Sequence, residues 1–284
     1  MSNTISTYSY RRKYRIASFS KLLRKALVCE KICKVDRTDD KYIDSPYGSQ
    51  PTTTIQAITG TYSTADYTLT DDLLTVTDEF IVAEHVYDWE NVLTSFDVFA
   101  NRADEQNASV ATQIDKFVLN NLTEDGTGAY TTPAGGFTTP ANLNKIMGDL
   151  IGKVAGYANA FDGMFFVIEN TEMSGFIQAQ ASSGYSFADM SLRNGFMDSQ
   201  FGVDIYVVRT GTFVDATLGT TTVTNDGHRV FGIKGVSTYA APRGIQYEEK
   251  PVAGKTGKEV VTYGYIGFKL WTPKAGLIVD ITLA

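Results

Sequence analysis

Residues 48–80 constrain the fold most, because they carry too little apolar surface to support themselves. Ten of these 33 residues are threonine (Thr52, Thr53, Thr54, Thr59, Thr61, Thr64, Thr68, Thr70, Thr75 and Thr77), and none is lysine or arginine. The β-branched content predicts two strands, joined through the turn Gly60-Thr61-Tyr62-Ser63-Thr64-Ala65-Asp66. A lone two-stranded hairpin is marginal in water. The segment therefore needs a second surface, and another copy of the same chain is the expected one.

The remainder of the chain is able to fold by itself. It has 284 residues, 43% of them hydrophobic, and a chain of this size buries on the order of 75% of its surface. No run of 18 apolar residues predicts a membrane span. Met1 to Phe19 lacks the apolar stretch of a secretory signal. Cys29 and Cys33 give no disulfide framework and read as a reduced thiol pair. His85 and His228 are far apart, so the four ligands of a structural zinc site are not expected to assemble.

Charge is divided unevenly. Residues 1–37 hold ten basic groups, Arg11, Arg12, Lys13, Arg15, Lys21, Arg24, Lys25, Lys31, Lys34 and Arg37, against Glu30 and Asp36. That segment is +8 in a chain of −7, so the rest is −15. Residues 38–115 are the acidic extreme, with fifteen carboxylates against Lys41 and Arg102. A basic arm on an acidic body suits nucleic acid or an acidic protein partner. A solvated tail and a transit peptide are the plainer readings of the arm. An acidic protein partner is preferred, because this chain supplies one and its body repels DNA. The expected contacts are Arg11, Arg12, Lys13, Arg15, Arg24 and Lys25 on the arm, with Asp66, Asp71, Asp72, Asp78 and Glu79 on the acidic side.

Periodicity outlines the other elements. Leu22, Leu23, Ala26, Leu27 and Ile32 space a basic helix over Ser18 to Cys33. Thr75 to Ala83 reads as one strand, and a long helix starts at Thr94, with Asp97 in capping-box position. Phe96, Phe99, Ala103, Val110, Ile114, Phe117, Val118 and Leu122 give that helix one apolar face, which Gly126 and Gly128 end. Residues 126–140 read as a loop, after which Pro140 opens a second helix with Leu143, Ile146, Met147, Leu150, Ile151 and Val154 on one face. Met164 to Ile168 is an apolar run that predicts a strand buried on both sides. A short helix through Phe176 and Ile177 and a strand over Val203 to Val208 follow. Residues 209–228 read as a surface loop and Val230 to Ala240 as one strand. Late strands start at Ile245, Glu259 and Leu277. Helices and strands mix without strict alternation, so the class is α+β.

No catalytic constellation emerges, and no catalytic, cofactor or metal residue is assigned. Gly254-Lys255-Thr256 resembles the end of a phosphate loop, but Glu249 stands where that motif needs glycine and Pro251 lies inside it. Gly126-Thr127-Gly128 lacks the third glycine of a dinucleotide site. Asp71 and Asp72 are adjacent in a presumed strand, so they read as solvated charges rather than an acid–base pair. Asn107-Ala108-Ser109 and Asn121-Leu122-Thr123 match glycosylation sequons but fall on the long helix.

Four stretches in order resemble a known family: Phe96 to Leu122, Phe165 to Ala179, Leu192 to Val208 and Tyr263 to Ile281. They look like the spine helix, the central strand with its short helix, the glycine-containing segment before a strand, and the closing strands of a tailed-bacteriophage major capsid protein. This is the Hong Kong 97-type shell fold, which encapsulins share. The resemblance runs over essentially the whole chain. It implies an N-terminal arm at 1–46 and an extended loop at 47–82 lying over a neighbouring subunit. It further implies a peripheral domain at 83–130 and 241–284 and an axial domain at 131–240. The implied function is an icosahedral head, built from pentamers and hexamers, that encloses double-stranded DNA. The implied site is the virion, assembled in the host bacterial cytoplasm without membrane contact.

Two departures follow from the residues. The family's founding member carries a scaffold segment of about 100 residues ahead of its arm, whereas here the spine starts near residue 96 after Met1. A separate scaffolding protein, or none, is implied, with a portal and a cement protein as further expected partners, and DNA held by weak non-specific contact. The founding member also links subunits through a lysine of the extended loop, but none lies between Lys41 and Lys116. The alternatives are an encapsulin-like shell, less suited to the long arm and hairpin, and a monomeric enzyme or binding module, for which no constellation speaks.

Overall fold

The computed structural model describes residues 27–49, 66–88, 98–156, 163–182, 196–200 and 202–284, with isolated positions between 53 and 64. The arm residues Arg11, Arg12, Lys13, Arg15, Arg24 and Lys25 lie outside the described residues, as do the expected start of the long helix and Tyr62, Ser63 and Ala65 of the hairpin turn. Of the helix expected over Ser18 to Cys33, the described residues show the single turn α1 (Cys29–Ile32).

Two sheets organise the chain. Strand β1 (Lys34–Asp36) follows α1. Then come β2 (Tyr42–Asp44), β3 (Tyr47–Gly48), β4 (Leu69–Thr70), β5 (Leu73–Thr75) and β6 (Asp78–Val86). Helix α2 (Val98–Glu124) has 27 residues and so extends about 40 Å at 1.5 Å per residue. Val110, Ile114, Val118, Leu119 and Leu122 are buried along it at three- and four-residue steps. The next elements are β7 (Gly128–Thr131), α3 (Pro140–Val154), β8 (Met164–Glu169), α4 (Met173–Ser182), β9 (Phe196–Gln200) and β10 (Val203–Val208). Strands β11 (Asp215–Leu218), β12 (Thr221–Thr224), β13 (His228–Ile233), β14 (Ser237–Ala240), β15 (Gln246–Pro251), β16 (Lys258–Leu270) and β17 (Ile278–Thr282) complete the chain. Among the described residues no helix is long and apolar enough to cross a membrane.

The six-stranded sheet runs β7-β17-β13-β8-β10-β9. All six residues of β8 are buried, so side chains on both of its faces are covered. Phe166 sits at the centre of an aromatic cluster with Phe137, Phe176 and Phe231, at centroid distances of 5.4, 5.8 and 6.2 Å. An ion network closes one end of this sheet. Arg229 donates to both oxygens of Glu172 at 2.8 and 3.0 Å and to Glu169 at 3.2 Å. The second Glu169 oxygen accepts the backbone N–H groups of Gly211, Thr212 and Phe213. One cation thus offsets two buried carboxylates, and the N–H groups supply the rest of the compensation that burial requires.

The second sheet is built on β16, which pairs β14, β15 and β6. Helix α2 covers one face of it through Gln106, which bonds Glu84, Val260 and Thr262. Asp115 on the same helix accepts the N–H groups of Val28 and Cys29 at 3.1 and 2.9 Å, which fixes where the basic arm leaves the body.

Several expectations are corrected. Residues 230–240 form two strands in different sheets rather than one, because the chain turns at Lys234-Gly235, where Gly235 has φ +74°. Residues 215–224 are a hairpin rather than a loop, held to α2 by Asn120, which accepts the Val214 N–H and donates to Thr212. The expected loop at 126–140 contains β7, which pairs β17 in parallel. The strand expected over 75–83 breaks at Val76-Thr77 into β5 and β6. Strand β17 pairs β13 and β7 in the six-stranded sheet.

Candidate inter-subunit surface

The Thr-rich segment contains the returning half of an antiparallel ribbon. Its pairs are Tyr42 with Thr75, Ile43 with Leu74, Asp44 with Leu73, Tyr47 with Thr70 and Gly48 with Leu69. The ribbon therefore starts at Tyr42, six residues before the segment singled out from composition.

Among the described residues, the base of the ribbon is the part that is packed. Leu74 is buried against Ala240 and Trp271, with Ile43 and Val76 beside them. Trp271 donates its indole N–H to Thr238 at 2.9 Å. Asp72 accepts the Thr272 N–H at 2.7 Å and pairs with Lys269 at 3.2 Å. Burial opposes its charge, but the Thr272 N–H and Lys269 outweigh that cost and hold the carboxyl below its usual range. Asp72 is thus not the solvated charge expected for it.

Beyond the base the ribbon offers apolar groups to solvent. Ile55 and Ile58 are 97% and 106% exposed, and Tyr42, Tyr67, Leu69 and Leu73 are also exposed. Burying a side chain of this size is worth roughly 1.5–3 kcal/mol. A two-stranded ribbon with this much uncovered apolar surface is poised for a partner.

The acidic residues divide into two groups. Asp66, Asp71 and Glu79 are exposed and available to a partner. Asp78, like Asp72, is buried and engaged within its own chain. It accepts the Thr220 N–H at 2.7 Å and the Thr220 hydroxyl at 3.2 Å. Gly219 makes this possible, because its φ is +63° and a side chain there would strike the Asp78 carboxylate. Reading by charge alone missed this distinction. It also missed Lys269 and Trp271, which act on the ribbon from about 200 positions away in sequence and leave no local signal.

The remaining candidates are placed plainly. Cys29 and Cys33 are free and buried, and burial pushes the Cys33 thiol up to about 12. No metal-holding cluster occurs among the described residues. Gly254-Lys255-Thr256 is the exposed turn between β15 and β16. Asn121 is buried and donates to the Phe117 carbonyl.

No protein-family model matches the sequence, and no curated protein sequence matches it. Solved structures match throughout. The capsid of the cyanophage P-SCSP1u superposes with a TM-score of 0.74 at 13% identity, over 96% of this chain and 93% of that chain. The capsid of an empty GTA particle gives 0.72 at 14% identity, over 94% and 93%. The mature capsid of bacteriophage PhiM1 gives 0.72 at 10% identity, over 94% and 90%. With its long helix, its paired ribbon and its two mixed sheets, this chain has the α+β fold of the tailed-bacteriophage capsid proteins, the Hong Kong 97-type shell fold.

Proposed function

We propose that this chain is the major capsid protein of a tailed bacteriophage, whose copies assemble into an icosahedral head around double-stranded DNA. The observation that carries the reading is the ribbon: it projects exposed isoleucines and tyrosines that its own subunit does not cover, on a body with a shell-protein fold. A monomeric enzyme has no use for such a surface, whereas a shell subunit buries it against the next copy. The role is structural and assigns no catalytic residue.

On this reading residues 1–46 are an arm, 47–82 an extended loop, 83–130 with 241–284 a peripheral domain, and 131–240 an axial domain at the centre of pentamers and hexamers. Arg11, Arg12, Lys13, Arg15, Arg24 and Lys25 then face Asp66, Asp71 and Glu79 of neighbouring copies. Asp72 and Asp78 contribute by shaping the ribbon base rather than by direct contact. The protein resides in the virion after assembly in the bacterial cytoplasm. A scaffolding protein, a portal and a cement protein are the further partners proposed, with weak non-specific contact to DNA.

Light scattering on the purified chain tests this. Assembly gives masses many times the subunit's 31.1 kDa. A protein that stays at the subunit mass under all assembly conditions contradicts it.

A further inference from the structure

We propose that residues 7–16 of one copy add as a strand to the open edge of β6 in a second copy. The inference rests on the shell reading and names the site at which the basic arm docks.

Among the described residues the edge is long and regular and has no backbone partner. Strand β6 has nine residues, and among the described residues its one hydrogen-bonded neighbour is β16, through nine successive pairs without a register shift. Backbone bonds made outside the paired strands involve none of residues 79–86 among those described. An open edge presents a row of unpaired N–H and C=O groups, which proteins usually blunt with lysine, proline or a bulge. The sequence Asp78–Val86 has no lysine and no proline.

The surroundings select the occupant. On the face away from α2, Ile81 is 62% exposed and Tyr265 44%, with Glu79 opposite Tyr265 and Ile81 opposite Tyr263. A cleft of about 450 Å³ opens at the start of β6, and its carboxylates, Asp39, Asp40, Asp78 and Glu79, outnumber its cations, Lys41 and Arg243. Glu79 and Ile81 share that face two residues apart, so the surface suits an extended peptide that carries both cations and apolar groups.

Residues 7–16, Thr-Tyr-Ser-Tyr-Arg-Arg-Lys-Tyr-Arg-Ile, carry that pattern. Tyr8, Tyr10, Tyr14 and Ile16 share one side of an extended chain, interrupted by Arg12 alone. Ser9, Arg11, Lys13 and Arg15 share the other. A two-residue period is the signature of a strand. Ten residues span about 33 Å, which matches a nine-residue edge. The segment has four cations and no carboxylate. Backbone pairing supplies affinity in such strand addition, and the alternating side chains supply specificity.

Photo-cross-linking tests the pairing, with p-benzoylphenylalanine placed at Ile81. Particles are assembled from a mixture of isotopically heavy and light full-length chains and analysed by mass spectrometry. The expected product joins the 78–86 peptide to the 7–16 peptide in heavy–light hybrids. Glu79→Lys lowers the yield by about threefold, and Arg11→Glu in the same chain restores part of it. Hybrids absent while same-isotope pairs form means that each arm folds onto its own β6, which overturns the proposal. Particles whose cross-links reach residues 50–66, or never reach 7–16, overturn it while leaving the shell reading intact. A chain that yields only monomers removes the shell reading and this pairing together.

Discussion

Asp72 joins the ribbon to the closing sheet with one side chain. Its buried carboxylate receives the Thr272 N–H and the Lys269 ammonium. Removing one partner of a buried charged hydrogen bond costs about 1–3 kcal/mol, so Asp72→Asn lowers stability by that order. The pH dependence has a defined sign. The folded-state carboxyl is held below its ordinary range, so its contribution is full above the unfolded value of about 3.9 and is lost as pH falls through the lower folded value. Urea midpoints for wild type and Asp72→Asn therefore differ at neutral pH and converge in acid. A constant gap down to the lowest accessible pH contradicts this role. Nothing in the local sequence separates Asp72 from Asp71, its exposed neighbour, because the partners of Asp72 lie on the far side of the chain.

At the scale of elements, legibility follows where the stabilising contacts come from. Helix α3 was readable because Pro140 fixes its start and its buried Leu143, Ile146, Met147, Leu150 and Val154 repeat at helical spacing. Strand β8 was readable because an unbroken apolar run has no alternative but burial. The division of 228–240 into β13 and β14 was not, since apolar residues flank the Lys234-Gly235 turn on both sides and only the partner strands distinguish them. The β11–β12 hairpin was hidden for a related reason. Its one buried apolar residue is Val223, and it is anchored by Asn120 and Asp78 from other elements. The ribbon falls between these cases: its strand content was legible in threonines, its base contacts were not. Its exposed tip makes a clean separation possible. Ile55→Ser with Ile58→Ser leaves subunit stability within about 0.5 kcal/mol, as surface changes do, while abolishing or slowing assembly. Matched unfolding and light-scattering measurements check both halves, and equal loss of stability and assembly contradicts the assignment.

For the molecule as a whole, charge and topology work together. Residues 1–37 are +8, and the arm leaves the body at Val28-Cys29, pinned to α2 by Asp115. The body opposite carries the acidic excess, with Asp66, Asp71 and Glu79 exposed. Complementary charge of this kind sets association rate and register more than affinity. Assembly should therefore slow as salt rises, because the Debye length falls from about 10 Å at 0.1 M to about 3 Å at 1 M. Turbidity kinetics across that range check the trend, and a salt-independent rate contradicts it. Deleting residues 1–25 should leave soluble subunits or aberrant shells, and normal shells from the truncated chain contradict the arm's role.

The most direct test of a shell subunit with an uncovered ribbon is a cryo-electron microscopy reconstruction of the particles formed by the full chain. The account predicts closed icosahedral shells in which the tip around Ile55 and Ile58 is buried on an adjacent copy. Shells whose ribbons stand free in solvent, or a preparation containing nothing larger than the 31.1 kDa chain, contradict it.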